Sequence, residues 1–181
     1  MNLAGYILRR FGWKFTINGE LPARCVVCVA PHTSNWDFII GELCIRSVGK
    51  TASFLMKDAW FFFPLGYLLK AIGGIPVSRR KSNHVTTTVV NAFNQSESLL
   101  VAVTPEGTRS RNAHWHKGFL YIAHEAKVPI VMGCINYKTR EVVIEHPFTP
   151  TDDPDADMTL IKRYYATRAD AARYPEKFTT E

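Results

Sequence analysis

Long hydrophobic runs are scarce in these 181 residues. The most apolar stretch, residues 59–72, is broken by Pro64, charged at Lys70 and shorter than the roughly 20 residues a membrane-crossing helix needs. Cysteine is scarce as well: Cys25, Cys28, Cys44 and Cys134 each lie inside an apolar run, and no second C-x-x-C accompanies the first. A disulfide-stapled scaffold is excluded, and Cys25-x-x-Cys28 in a β-branched run reads as structural rather than redox-active or zinc-binding. No G-x-S-x-G elbow is present, which disfavours a serine hydrolase of α/β type. Repeats, low-complexity linkers and domain boundaries are missing. Arg9 and Arg10 cut the N-terminal apolar stretch short, so no cleavable signal peptide is expected, and the setting reads as reducing and cytoplasmic.

What is present is the profile of one folded domain spanning residues 1–181, with 46% hydrophobic and 21% charged residues. A chain of this length buries roughly 70% of its unfolded surface. The net charge is +6 and unevenly placed: residues 1–81 carry 11 basic and 4 acidic side chains, residues 151–181 carry 5 and 7. A basic first half favours anionic partners such as nucleic acid, phosphorylated metabolites or an anionic bilayer.

Apolar patterning predicts a short amphipathic helix within residues 1–14, with Leu3, Tyr6, Ile7 and Phe11 at helical spacing and a basic end. Strands are then expected at 25–30, 52–56, 73–77, 99–103, 129–135 and 142–145. Helices are expected at 35–48, 59–72, 82–94 and 117–127, with a final charged one over 155–173. Strands alternating with helices imply a single α/β domain with a mostly parallel central sheet, and ligands at the strand ends. Residues 59–72 read either as a buried core helix or as an interfacial segment. Trp60 and three consecutive phenylalanines beside Lys57 and Lys70 favour the second, a protein lying on an anionic membrane.

Three loops follow strands. In the first, His32 and Asp37 stand at H-x4-D spacing, suited to an imidazole base oriented by a carboxylate. Positions five apart are about 140° out of register on a helix, so the pair can meet only if His32 sits in the loop. In the second, Thr104-Pro-Glu-Gly-Thr-Arg-Ser110, Gly107 allows close backbone approach to a ligand and Arg109 offers a fork for phosphate oxygens. The third, residues 73–81, ends in three cations including Arg79. His114 and His116 lack partners at metal-ligand spacing, and no metal site is expected.

Four pieces, His32-Thr-Ser-Asn-Trp-Asp37, Gly74-Ile-Pro-Val-Ser-Arg79, Pro105-Glu-Gly-Thr-Arg-Ser110 and Val128-Pro-Ile-Val131, together resemble the ordered blocks of the glycerolipid acyltransferases. The resemblance covers about residues 10–135. It implies transfer of a fatty acyl group from acyl-CoA or acyl carrier protein to a hydroxyl of a lysophospholipid-like acceptor, 1-acylglycerol-3-phosphate first among them, with no cofactor. By that resemblance His32 is the base and Asp37 its partner. Arg79, Glu106, Gly107, Thr108 and Arg109 bind the acceptor, and Pro129 shapes the acyl or acceptor pocket. Lys57 and Lys117 join the substrate-binding set from charge and position. Pro31 and Thr104 stand where the family often has Asn and Phe. The expected site of action is peripheral, on the inner face of the cell membrane. Other lysolipid acceptors and a non-catalytic lipid binder are the alternatives. A nucleic-acid module is disfavoured, because Trp60 to Phe63 lack interleaved arginines.

Overall fold

The structure, a computed structural model, describes residues 2–77 and 82–181. Its seven strands are β1 (Lys14–Ile17), β2 (Arg24–Val29), β3 (Ala52–Lys57), β4 (Gly74–Val77), β5 (Leu99–Val103), β6 (Ile130–Asn136) and β7 (Glu141–Phe148). They form one sheet in the order β1-β7-β6-β2-β5-β3-β4. Strands β4, β3, β5, β2 and β6 are mutually parallel, while β7 runs antiparallel to β6 and β1 parallel to β7. The expected mostly parallel α/β domain is what the chain forms.

Helices α1 (Leu3–Arg10) and α2 (Trp36–Ser47) lie on one face, and α4 (Ser82–Asn94), α5 (Gly118–Glu125) and α6 (Pro154–Ala166) on the other. Period-two alternation along β2 divides the core between these faces. Val26 and Cys28 join Phe93, Phe119, Ile122, Ile161 and Tyr165, whereas Cys25 and Val27 join Ile45, Leu100 and Val131. The two cysteines of the C-x-x-C thus point to opposite faces as buried free thiols, and burial pushes each up to about 12.

Several expectations need correction. Helix 59–72 begins late: Asp58–Trp60 form one 3-10 turn, and α3 covers only Leu65–Ala71, after Pro64. It is no core helix either, because Trp60, Phe62, Phe63, Tyr67 and Leu68 are all exposed, Phe63 by 82%. In α1 the buried residue is Leu8, while Leu3, Tyr6 and Phe11 face outward. Strand β1 was not expected; four residues on the sheet edge give little signal, and their partner Glu141–Ile144 lies far along the chain. The last helix stops at Ala166 rather than running to 173. Asp153 caps its start by accepting from the amides of Asp155 and Ala156, both at 3.0 Å, and a separate 3-10 turn follows at Ala169–Ala171.

Candidate active site

Strand β2 ends at Val29, and residues 30–35 turn into α2. Asp37, in the first turn of α2 and only 4% exposed, reaches back to hold that turn. Its Oδ2 accepts from the amides of Thr33 and Ser34, both at 2.9 Å, and lies 3.1 Å from His32 Nδ1. The other oxygen, Oδ1, accepts from the Tyr137 hydroxyl at 2.6 Å. The two side chains therefore meet, with the histidine in the loop and the chain doubling back. Burial works to raise the Asp37 carboxyl, but the hydrogen bonds from His32, Tyr137 and Ser34 outweigh it and hold the group below the ordinary carboxylate range. An ionised Asp37 beside Nδ1 fixes the proton there and leaves Nε2 of His32 free to accept one.

Glu106 comes from the loop after β5, at the same end of the sheet. It is 1% exposed, and its Oε1 accepts the main-chain N–H of His32 at 2.7 Å. So enclosed, the Glu106 side chain holds the His32 loop from beneath. Burial, with the Asp37 charge adding to it, pushes Glu106 from 4.5 up to about 8 against the effect of the His32 amide, leaving it largely uncharged at neutral pH.

Gly107 has φ +66°, and a Cβ there would come within 2.5 Å of the His116 ring. The His116 imidazole occupies the space its missing side chain leaves. Thr108 Oγ1 accepts from the Ser110 amide at 3.2 Å. Arg109 donates to the Asn35 side chain, which brings its guanidinium to the start of α2, three residues from His32. Lys117 pairs with Asp155 at the start of α6, and that hydrogen bond raises its ammonium above the ordinary lysine range. Its partner is thus in α6 and not in the His32 loop. Lys57 closes β3 at the site's end of the sheet. Arg79 lies outside the described residues. Pro129 sits at the opposite end of the sheet, where its carbonyl accepts from the Val26 amide at 3.0 Å. Val128, Ile130 and Val131 of that fourth block are buried in the core.

Sequence reasoning missed Tyr137 and the C-terminal tail. Tyr137 follows β6, the neighbour of β2, so its place at the same sheet end was implicit in the topology. The tail crosses the His32 loop: the Tyr174 amide donates to Thr33 Oγ1 at 3.3 Å. Arg173 stands 5.7 Å from the Trp36 ring and 5.9 Å from that of Tyr137. No periodicity announces either contact.

An α/β sheet with an imidazole–carboxylate pair past the end of a central parallel strand suits proton abstraction from an attacking hydroxyl. The sequence profile of the acyltransferase family matches residues 14–136, and the chain belongs to that family. No curated protein matches the chain.

Proposed function

We propose that the protein transfers a fatty acyl group from the thioester of acyl-CoA or acyl carrier protein to a hydroxyl of a lysophospholipid-like acceptor, with 1-acylglycerol-3-phosphate the first candidate. The observation that carries this reading is the His32–Asp37 pair at 3.1 Å, within a chain of the acyltransferase family. His32 Nε2 takes the proton from the acceptor hydroxyl as its oxygen forms the new bond to the thioester carbonyl carbon. The tetrahedral intermediate collapses, the C–S bond breaks, and the imidazolium returns the proton to the departing thiolate. The products are an ester and a free thiol, so no covalent acyl-enzyme and no cofactor is needed. Arg109 supplies positive charge at the start of α2, whose N-terminus adds the favourable end of its dipole for a phosphate. The family resemblance adds Arg79 to the residues proposed to bind that phosphate.

The membrane side of the reading rests on exposed apolar groups. No helix among the described residues is long and apolar enough to cross a membrane. Trp60, Phe62 and Phe63 follow β3 at the sheet end where His32 follows β2, and α1 presents Leu3 and Tyr6 beside Arg9 and Arg10. Aromatic and cationic side chains so placed suit an anionic bilayer surface, with the acceptor delivered from the cytoplasmic leaflet. The deciding experiment follows thiol release from palmitoyl-CoA by wild type and His32→Ala on anionic liposomes, across a panel of lysolipid acceptors. Release that needs both His32 and one acceptor supports the proposal and names the substrate. Undiminished release by His32→Ala overturns the mechanism.

A further inference from the structure

We infer that Tyr137 is a positioning residue of this site, acting through Asp37 to set how firmly the His32 imidazole holds its proton. The inference rests on the general-base reading above and goes one residue further out.

The two oxygens of Asp37 have separate tasks. Oδ2 is filled by three donors from the catalytic loop, the amides of Thr33 and Ser34 and His32 Nδ1. Oδ1 takes a side-chain donor from outside the loop, the hydroxyl of Tyr137 in the turn after β6. Its 2.6 Å length is that of a charge-assisted O–H···O bond. Tyr137 is itself anchored on several sides. Its amide donates to the Ala171 carbonyl at 2.9 Å, and its ring meets Trp13 edge-on at 5.3 Å between centroids. Burial, and then the bond to Asp37, raise the phenol far above its ordinary range, which keeps the hydroxyl a donor throughout the working pH range.

The groups that face the pair are few. Glu106 approaches from the loop after β5 and Arg173 from the tail, while Tyr137 comes from the turn after β6. Among the described residues, Tyr137 gives Asp37 the one hydrogen bond from a side chain outside the loop. A donor on Oδ1 draws negative charge away from Oδ2 and fixes the plane of the carboxylate. Without it, the carboxylate is more basic and less well aimed. A more basic partner holds the imidazolium more tightly, so the free base forms only at higher pH.

The test is Tyr137→Phe in the full chain, which keeps the ring and its contact with Trp13. Two readouts are compared with wild type and His32→Ala. In acyl transfer from palmitoyl-CoA to 1-acylglycerol-3-phosphate, kcat falls about tenfold, KM for both substrates stays within about twofold, and the acid limb of the rate profile moves to higher pH. In NMR without substrate, the imidazole resonance that His32→Ala deletes titrates at higher pH in Tyr137→Phe than in wild type, by roughly 0.5. An unmoved imidazole titration overturns the inference, as does a loss confined to KM. Should His32→Ala keep full activity, the general-base reading fails on its own, and the NMR titration still decides whether Tyr137 governs the pair.

Discussion

The His32 loop and residues 58–68 leave the same end of one sheet, after parallel strands, and invert the ordinary partition of residues. The polar groups are inside: Thr33, Ser34 and Asp37 are buried, with both amides bonded to the carboxylate, and buried Glu106 from the loop after β5 accepts from the His32 amide. The apolar segment is outside, with Trp60, Phe62, Phe63, Tyr67 and Leu68 in solvent. Burying polar groups costs free energy unless each is paired, and exposing a cluster of aromatics forfeits the main driving force of folding. Each departure therefore marks a region shaped by something other than stability. Under the proposed function, one region holds atoms still for chemistry and the other offers a surface to a bilayer.

The comparison can be broken at several points. The largest effect is expected for His32→Ala, which should lower turnover on the order of 10³-fold in the thiol-release assay, with the urea midpoint little changed. Next is Gly107→Ala, which combines a left-handed backbone with a clash against His116. It should cost about 1–2 kcal/mol in urea unfolding, and a second change, His116→Ala, should recover part of that loss.

Replacing Trp60 and Phe62 by serine should abolish cosedimentation with anionic liposomes while shifting unfolding by no more than about 0.5 kcal/mol. Unchanged binding would show that this exposed segment is not the docking surface. For Arg109→Ala, KM should rise several-fold more for the acceptor than for the acyl donor; an equal rise would remove it from the phosphate site.

The last comparison concerns pH. Glu106 titrates at about 8 in the folded chain against 4.5 when free, so its protonated form favours the fold. That contribution is fully present below about 4.5 and is lost as pH rises through about 8. Asp37, lowered instead, contributes above its unfolded value and loses that contribution as pH falls through its folded one. Glu106→Gln should therefore flatten the decline in stability from pH 5 to 8, read as urea midpoints across that range.

Much of this was legible because its signals are local. Continuous β-branched runs such as Cys25–Val29 announce buried parallel strands, and H-x4-D between a strand and a helix announces a turned-back pair. What escaped depends on approach in space. Glu106 sits in a loop whose sequence shows nothing of depth, and only its neighbours in space show it enclosed beneath His32. Pro129 belongs to a recognisable block, yet strand direction carries it to the far end of the sheet. Tyr137 meets Asp37 across 100 residues of sequence, a separation at which spacing says nothing. Residues 59–72 have helical composition, yet the helix starts only past Pro64.

The four cysteines have a consequence of another kind. Each is buried, and burial pushes the Cys25, Cys28 and Cys44 thiols up to about 12 and that of Cys134 up to about 11. Thiolate is the form that reacts with disulfide reagents. A chromogenic disulfide used to record released coenzyme A should thus draw no background from the folded protein. Once substrate is omitted, slow labelling of the same four sulfurs becomes a clock for the opening of the sheet.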